Sequence, residues 1–304
     1  MRILIFGAGA MGTFLAGCLS QKHDVTLYGR GKKLKAIKEN GIRINGITEL
    51  TAKLNTADDL KVFESELFDL IVLSVKSYDT PQALQTIMDM KGQAPLLSLQ
   101  NGLDNEEKIA KAVGVKRTLG GVTSHGLTYI SPGQVHHAGV GETIIGELDG
   151  SKTDRISEIA GALSSVGIKT SISKNIKTEI WVKGVVNSGI NPLTALTGLK
   201  NGFLLKIPSL TRLLENTCLE GVTVAQRAGV DLQGMDVIKK TKNVAKLTAE
   251  NKSSMLQDIQ SKRRTEIDSI NGAIVESGKK YDVDTPINST LVALIKGIEE
   301  GGNR

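Results

Sequence analysis

The stretch Ile3-Leu4-Ile5-Phe6-Gly7-Ala8-Gly9-Ala10-Met11-Gly12 determines the fold of the first half of the chain. Its first four residues are apolar and end at a glycine, which is typical of a short buried strand in a parallel sheet. The glycines follow the pattern G-x-G-x-x-G, and residues 10–20 after them favour a helix. In such a loop the first glycine permits a tight turn, the second lets the backbone approach a pyrophosphate, and the third lets helix and strand pack closely. The N–H groups at the start of the helix would also face the phosphates. We therefore assign a dinucleotide to this loop, and we assign cofactor binding to Gly7, Ala8, Gly9, Ala10, Met11 and Gly12.

The same stretch has a competing interpretation as a secretion signal. Arg2 precedes an apolar run to Leu19, and Leu15-Ala16-Gly17-Cys18 resembles the cleavage box of a lipoprotein. The phosphate-binding spacing of the glycines, and the continuation into a second strand at residues 24–28, favour the strand–loop–helix interpretation.

Strands and helices alternate along the rest of the first half. Residues 32–40 and 81–88 favour helices, and residues 69–75 and 95–99 favour strands. This alternation predicts a parallel sheet with helices on both faces. We expect antiparallel strands over 117–148, a helix over 151–165 and an extended segment over 168–173.

Strand signals end near residue 174. Helical periodicity follows over 177–190, 192–200, 207–228, 234–249 and 255–277. The fold class we predict is an α/β Rossmann-type domain over residues 1–173, followed by an all-α helical domain over residues 174–304.

The composition excludes several classes of protein. Of the 304 residues, 40% are apolar and 23% are charged, an ordinary globular balance. The net charge of +6 suits anionic partners, but aromatic residues make up only 3%, too few for the stacking platforms of a single-strand nucleic-acid binder. No apolar run reaches the length of about 18 residues that a membrane span needs. Two cysteines, Cys18 and Cys218, make neither a disulfide framework nor a zinc site, so we expect no metal and a cytoplasmic location.

The end of the second strand indicates which dinucleotide binds. An NAD-binding protein usually has an acidic residue there, which holds the ribose 2′-hydroxyl. Here the strand ends Leu27-Tyr28-Gly29-Arg30, without an acid. A guanidinium can hold a 2′-phosphate through paired hydrogen bonds, so Arg30 predicts NADP(H). The alternative is that Arg30 only balances surface charge.

A polar stripe crosses an otherwise apolar helix in the second half. Lys183, Asn187 and Asn191 are four residues apart and therefore share one helix face. Gly184 and Gly189 interrupt the helix and indicate that something approaches its backbone closely. We interpret the stripe as a substrate-binding wall in which Lys183 meets an anionic or carbonyl group. The alternatives are a lysine that extends to solvent and an Asn191 that caps a new helix with Pro192 at its first position.

Glu266 is the second candidate for chemistry. Ile259, Arg263, Glu266 and Ile270 share a face if the region is one helix, which places Glu266 at the border of an apolar stripe. A half-buried carboxylate at such a border is a candidate functional group. The alternative is a salt bridge to a neighbouring Arg or Lys. Ser253 or Ser254 is the candidate N-cap of the helix that begins at Met255.

Together these motifs resemble the ketopantoate reductase family over nearly the whole chain. Besides the glycine loop, the resemblance rests on residues 75–80, 99–102, 121–125, 181–196, 253–258 and 265–268. It implies an enzyme that reduces 2-dehydropantoate to pantoate with NADPH, in the formation of pantothenate and coenzyme A.

The resemblance also implies roles for individual residues. Lys183 would be the general acid and Glu266 would orient the substrate or that lysine and contact the cofactor. Lys76 and Asn101 would line the nicotinamide end of the cofactor site, and Gly126 follows His125 in a segment placed against the cofactor. We interpret His125 itself as structural. The residues implied to bind the substrate carboxylate and hydroxyl are Asn187, Asn191, Asn201 and Ser254.

Other functions remain open on the sequence alone. The substrate could be another branched 2-keto acid or a 3-hydroxy acid, as in the hydroxyacid dehydrogenases that also join a Rossmann-type domain to helices. A non-enzymatic NADP sensor would need neither Lys183 nor Glu266. We expect a homodimer through the helical domain, and no nucleic-acid or membrane partner.

Overall fold

The computed structural model describes residues 1–60, 63, 68–90 and 92–301. The chain divides into two compact units. Unit 1 comprises Met1–Gln100 and Asn105–Ile176, and unit 2 comprises Asn101–Asp104 and Lys177–Arg304.

Unit 1 is built on an eight-stranded sheet. Its strands are β1 (Arg2–Phe6), β2 (Asp24–Tyr28), β5 (Asn55–Ala57), β6 (Leu70–Leu73), β7 (Leu96–Ser98), β8 (Thr118–Thr123), β11 (Thr143–Glu147) and β12 (Thr170–Ile172). They lie in the order β12-β11-β8-β7-β6-β1-β2-β5. All neighbours are parallel except β8 and β11. In the register of this sheet Phe6 lies between Tyr28 and Leu73, so the segments that follow β1, β2 and β6 leave from one edge.

Unit 1 also contains a second sheet, which has four strands. Its strands are β3 (Ile42–Gly46), β4 (Leu50–Ala52), β9 (Gly126–Ser131) and β10 (Gln134–Gly139), in the order β4-β3-β10-β9. Antiparallel pairing was expected over 117–148, and it is found between β8 and β11 and between β9 and β10. However, β8 also pairs parallel with β7, and β10 pairs parallel with β3. The segment therefore contributes to two sheets.

The described part of unit 1 also contains five α-helices: α1 (Ala10–Leu19), α2 (Gly31–Asn40), α3 (Thr80–Met88), α4 (Asn105–Val113) and α5 (Asp154–Ser165). Every residue of α1 from Gly12 to Leu19 is buried. Together with β1 it forms the centre of the largest apolar core. The first 19 residues are thus a strand, a loop and a helix within a domain core. The helix α4 and the strand β5 were not foreseen.

The regular structure of unit 2, over its described residues, is helical. Its α-helices are α6 (Ile176–Thr197), α7 (Pro208–Arg227), α8 (Val237–Leu247), α9 (Ser254–Gln260), α10 (Ala273–Tyr281) and α11 (Pro286–Gly301), with a 3₁₀ turn at Asn201–Leu205 and a π-helical turn at Asp268–Gly272. Helices α6, α7 and α8 pack their apolar faces into one core. None of the helices in the described ranges combines the length and apolarity that crossing a bilayer requires.

Two of the expected helices join into one. Residues 177–190 and 192–200 were expected as separate helices with Asn191 as a cap, but α6 continues through Pro192 to Thr197. The cap interpretation of Asn191 is therefore wrong. Pro192 has no N–H to give to the carbonyl of Ser188, one turn earlier. The side-chain amide of Asn271 donates to that carbonyl at 3.1 Å, which satisfies it without a helix break.

The prediction of one helix over 255–277 is also wrong, because this range is divided into separate helical elements. Helix α9 ends at Gln260, and Lys262 has the left-handed φ of +51°. The N–H of Thr265 then donates to the Glu299 carboxylate of α11 at 2.6 Å. Because the backbone turns between Gln260 and Thr265, Glu266 does not share a continuous helix face with Ile259 and Arg263.

Candidate active site

The glycine loop connects β1 to α1. At two of its glycines, neighbouring protein atoms leave no room for a side chain. Gly7 has φ +123°, and a Cβ on it would lie 2.9 Å from Val75. A Cβ on Gly12 would lie 1.8 Å from the carbonyl oxygen of Gly7. Both values are far below ordinary contact distances, so the close packing of α1 on β1 depends on these glycines.

Gly9 is a glycine for a different reason. Its φ of −86° and ψ of −170° suit any residue. Apart from Gly9 and its two chain neighbours, no described atom lies within 4 Å of the position that its Cβ would take. Gly9 is the N-cap of α1 and provides no side-chain cap, which leaves the first N–H groups of the helix to another partner. Ala8, Ala10 and Met11 beside it are half-buried. The loop therefore fits a pyrophosphate that approaches its backbone.

Arg30 follows the carboxyl end of β2, at the same end of the sheet at which the glycine loop follows β1. It follows β2 and precedes the first residue of α2. Its guanidinium donates to the hydroxyl of Tyr28 at 3.1 Å and to that of Thr86 at 3.3 Å, while the residue stays exposed. Two side chains thus orient a cation that remains open to an anionic ligand.

The other residues predicted for the cofactor in unit 1 lie after β6 and at the start of β9. Lys76 is half-buried and precedes the 3₁₀ turn Ser77–Asp79. Gly126 begins β9, where a Cβ would lie 3.2 Å from the backbone nitrogen of Gly139. Close pairing of two strands therefore accounts for the glycine at position 126. A cofactor role for Lys76 or Gly126 stays a prediction.

In unit 2 the polar stripe lies on one continuous helix. Lys183, Asn187 and Asn191 are at four-residue intervals in α6 and project from the same face. Lys183 and Asn187 are half-buried, and Asn191 is 5% exposed. An ammonium and two amides thus line up on a helix whose other faces are packed into the core.

The two glycines of α6 admit neighbouring side chains. A Cβ on Gly184 would lie 2.4 Å from Cδ2 of Leu103, and a Cβ on Gly189 would lie 2.5 Å from Sγ of Cys218. The close approach that the sequence indicated is therefore made by Leu103 and by α7, which carries Cys218. Leu103 has no counterpart among the sequence-based predictions, since no local pattern identifies it.

The short segment Asn101–Asp104 connects Lys183 to the region of Glu266. Leu103 packs on Gly184, next to Lys183, and its N–H donates to the carbonyl of Ser269 at 2.9 Å. Two residues earlier, the Asn101 amide donates to Oε2 of Glu266 at 3.2 Å. The segment therefore contacts both the helix of the lysine and the loop of the carboxylate.

Glu266 is only 5% exposed. The arginines before it pair with other carboxylates: Arg263 with Asp258 at 3.1 Å and Arg264 with Asp268 at 3.3 Å. Asn101 supplies a neutral hydrogen bond to the buried Glu266 carboxylate. Glu266 is thus a buried carboxylate that accepts a hydrogen bond from Asn101, and its role in positioning other groups stays a prediction.

The remaining predicted substrate residues lie near the end of α6. The Thr194 hydroxyl donates to Ser253 Oγ at 2.7 Å, and Ser253 in turn caps α9 by accepting the Leu256 N–H at 3.1 Å. The cap is thus Ser253, which leaves Ser254 exposed at the first residue of α9. Asn201 is 7% exposed, and its amide donates to Thr248 at 2.9 Å. The Oδ1 of Asn201 is buried and has no partner in the described ranges.

His125 is part of a histidine pair packed on Phe14. Its Nδ1 is 3.1 Å from Nε2 of His137, and both rings lie about Phe14, at centroid distances of 5.3 and 4.9 Å. Burial, and then the neighbouring His137, lower the pKa of His125 to about 4. A neutral, packed imidazole agrees with the structural interpretation of this residue. No cluster of three or more His, Cys, Asp or Glu side chains in the described part of the chain is arranged to hold a metal ion.

Comparison with known proteins identifies the family. The family model described as "Ketopantoate reductase PanE/ApbA" matches residues 3–150, and its C-terminal counterpart matches residues 175–299. The chain belongs to the ketopantoate reductase family. One relative is the 2-dehydropantoate 2-reductase of Archaeoglobus fulgidus. It is 37% identical to this chain over 302 residues, which cover 99% of this chain and 98% of the relative. That of Pyrococcus horikoshii is 38% identical over 305 residues, covering 99% of each.

Solved structures of similar fold include two kinds of enzyme. A D-mandelate dehydrogenase in complex with NADH and anilino(oxo)acetate has a TM-score of 0.94 and 32% identity, and the match covers 100% of this chain and 99% of that one. A ketopantoate reductase from Ralstonia eutropha JMP134 has a TM-score of 0.91 and 29% identity, with full coverage of both chains. The predicted family and the predicted fold class, a Rossmann-type domain followed by a helical one, are confirmed. As a member of this family the chain is an oxidoreductase.

Proposed function

We propose that this enzyme reduces 2-dehydropantoate to (R)-pantoate with NADPH. The observation that carries the proposal is the arrangement around the segment Asn101–Asp104. One face of α6 presents Lys183, Asn187 and Asn191, and the segment that packs beside Lys183 also donates a hydrogen bond to the buried Glu266. Family membership and the relatives named as 2-dehydropantoate 2-reductases support the same substrate.

Reduction of a 2-keto acid adds a hydride to C2 and a proton to the ketone oxygen. The hydride would come from NADPH when this cofactor is bound. The Lys183 ammonium donates the proton, and its charge stabilises the alkoxide that develops before the transfer is complete. A cation aligned with neutral amides suits this task, because the amides orient the substrate without competing for the proton.

Glu266 orients the site and is not itself the acid. Its carboxylate is held by the Asn101 amide at 3.2 Å, so it is fixed relative to the segment that packs beside Lys183. The substrate carboxylate and the C4 hydroxyl are assigned to Asn187, Asn191, Asn201 and Ser254. Of these, Asn201 has a buried acceptor without a partner in the described ranges, which suits a donor such as a hydroxyl.

The assay of NADPH oxidation tests the function directly. Purified protein is mixed with NADPH and ketopantoate, and a panel of other 2-keto acids is run beside it. Benzoylformate belongs in the panel because a D-mandelate dehydrogenase is among the similar structures. Selective turnover of ketopantoate would support the proposal. Tight NADPH binding with no turnover of any keto acid would refute it and favour a non-enzymatic sensor.

Lys183→Ala tests the general acid. Without its proton donor, kcat should fall by a factor on the order of 10² or more. Lys177→Ala is the matched control, because Lys177 is an exposed lysine of the same helix, and its activity should equal that of the wild type. Turnover by Lys183→Ala at the wild-type rate would remove this lysine from the mechanism.

Arg30 is proposed to select NADPH over NADH by binding the 2′-phosphate. Arg30→Ala should lose one charge-assisted contact, worth about 1.5–3 kcal/mol, and thus raise the KM for NADPH while leaving that for NADH unchanged. Arg43→Ala, which removes an exposed arginine of β3, controls for net charge. An unchanged NADPH-to-NADH preference in Arg30→Ala would contradict this assignment.

We further propose that the enzyme is a cytoplasmic homodimer formed through its helical unit. Two cysteines that are free and buried are compatible with a reducing compartment. Leu294 and Ile298 are one turn apart on α11 and are 50% and 37% exposed, which provides an apolar face for a partner copy. Light scattering should give the mass of a dimer for the wild type and of a monomer for Leu294→Glu.

A further inference from the structure

Pro192 lies inside α6, the helix that carries predicted substrate residues, and interrupts its backbone hydrogen bonding. A proline within a helix leaves the carbonyl four residues earlier without its backbone donor. Here that carbonyl belongs to Ser188, which lies between Asn187 and Asn191 in α6 and is fully buried. A buried carbonyl without a partner would be costly, so its satisfaction has to come from another element.

Asn271 provides the missing donor. Its Nδ2 donates to the Ser188 carbonyl at 3.1 Å and to Oδ1 of Asn288 at 2.9 Å, which uses both amide hydrogens. Asn271 is 0% exposed, and its partner Ser188 lies 83 residues away in sequence. The bond is therefore a tertiary contact that completes the backbone of α6.

The orientation of Asn271 is fixed by the next residues of the same network. Asn288 Nδ2 donates to the Thr217 carbonyl at 3.2 Å and to Glu220 Oε2 at 2.7 Å. The Glu220 carboxylate also accepts the N–H groups of Ile287 and Asn288 at the start of α11, each at 2.9 Å. Because the amide hydrogens of Asn288 are both used on α7, its oxygen has to face Asn271. Helices α7 and α11 thus hold Asn271 in place.

Asn271 also belongs to the π-helical turn that follows Glu266. Such turns often occur at functional sites, because the extra residue redirects a side chain. In this turn the Ser269 carbonyl accepts the Leu103 N–H, and the Asn101 amide of the same segment donates to Glu266. The turn is therefore connected on one side to the carboxylate and on the other, through Asn271, to α6.

We propose that Asn271 is a positioning residue of the active site, which holds the helix of Lys183 against the turn of Glu266 by supplying the hydrogen bond that Pro192 cannot make. The proposal rests on the proposed reduction of a 2-keto acid by this site. Asn271 acts through the Ser188 carbonyl and is not assigned any contact with the substrate.

Two variants remove the donor. Asn271→Ala truncates the side chain, and Asn271→Asp keeps its shape but has no donor when ionised. For both we expect kcat/KM for ketopantoate to fall by about 10- to 100-fold, as a small displacement of catalytic groups does. The KM for NADPH should stay within about twofold, because the glycine loop lies in the other unit.

Thr241→Val is the matched control. Thr241 in α8 is also 0% exposed, and its hydroxyl donates to the Val237 carbonyl at 2.8 Å. Its loss removes this bond and the one that Cys218 Sγ donates to the same hydroxyl at 3.6 Å, both buried in unit 2 and far from the stripe in sequence. The urea midpoint should fall, and kcat/KM for ketopantoate should stay within about twofold of the wild type.

Pro192→Ala tests the mechanism itself, since it provides a backbone N–H one turn after Ser188. In that background Asn271→Ala should lower kcat/KM by about threefold or less, because the carbonyl then has its own donor. A loss of the same size with and without Pro192 would overturn the proposal, as would Asn271 variants that lower the urea midpoint but keep kcat/KM. If Asn271→Ala and Asn271→Asp do not fold, the double variant should, and its failure to fold would also overturn the proposal.

A failure of the proposed function and a failure of the role of Asn271 give different experimental results. A wild-type enzyme that does not reduce ketopantoate would refute the proposed function. The urea midpoints of the two single variants and the double variant would still test the bond, and strictly additive shifts would refute the role of Asn271.

Discussion

Gly9→Ala is the substitution that best separates cofactor binding from folding. Of the glycines of the loop, Gly7 and Gly12 are closely packed against protein atoms, whereas the Cβ position of Gly9 has no described atom within 4 Å apart from those of Gly9 and its two chain neighbours. Its backbone conformation also suits alanine. The folded protein should therefore accept the methyl group without strain, and the pyrophosphate of NADPH should not.

The magnitude follows from the space that the methyl group takes. An extra methyl group in a closely packed contact costs about 1–3 kcal/mol. Since about 1.4 kcal/mol is a factor of ten in binding, the Kd for NADPH should rise about 5- to 150-fold. The free energy of unfolding should be unchanged or slightly higher, because alanine restricts the unfolded chain more than glycine does.

Gly12→Ala and Gly161→Ala are the two comparison variants for Gly9→Ala. A Cβ on Gly12 would lie 1.8 Å from a backbone oxygen, so that α1 would have to move, and we expect a loss of about 3 kcal/mol or more in unfolding free energy. Gly161 lies on the exposed side of α5 with no described atom outside its own helix within 4 Å of its Cβ position, and Gly161→Ala should stabilise the protein by about 0.5–1 kcal/mol with no effect on NADPH. Calorimetric titration with NADPH and urea unfolding followed by circular dichroism measure both quantities. Wild-type NADPH affinity in Gly9→Ala would refute the assignment of the loop to the pyrophosphate.

Two further predictions concern ionisable groups in the core. Burial opposes ionisation of Glu147, but hydrogen bonds from Arg155 and Thr153 outweigh it and hold the pKa of Glu147 below its usual value. The resulting stabilisation is present above the ordinary carboxyl pKa and is lost as the pH falls through the lowered one, so Glu147→Gln should reduce the unfolding free energy by about 1.5–3 kcal/mol at neutral pH and by much less near pH 3. Urea unfolding at both values checks this, with the exposed Glu158→Gln as control, and an equal loss at both pH values would contradict it. Burial raises the pKa of Cys18 to about 11 and that of Cys218 to about 12, so neither thiol should react with a thiol reagent at pH 8 until the protein is unfolded, and rapid labelling of the native protein would show that the burial of these thiols is wrong.

The parts of this protein that follow from local sequence were predicted well. The glycine loop could be located because a strand, three glycines at fixed spacing and a helix each restrict the backbone within a few residues. The change from strand signals to helical periodicity near residue 174 likewise gave the α/β and helical halves, because the two periods differ in any short window. The stripe of Lys183, Asn187 and Asn191 followed from the same helical geometry.

The predictions that failed depended on distant partners. The sequence Asn191-Pro192 has the appearance of a helix start, but α6 continues because Asn271 satisfies the carbonyl that Pro192 leaves free. The apolar spacing around Glu266 has the appearance of one long helix, but the backbone turns at Lys262, and Glu299 accepts the N–H of Thr265.

The sequence by itself determined the fold class, the position of the glycine loop and the face of the helix on which the polar residues lie. Only the tertiary structure decided what surrounds them: Leu103 on Gly184, Asn101 on Glu266, and Asn271 on the Ser188 carbonyl. The physical reason is that periodicity and turn chemistry act through the backbone of neighbouring residues, whereas a buried donor and acceptor find each other only when packing brings distant segments together.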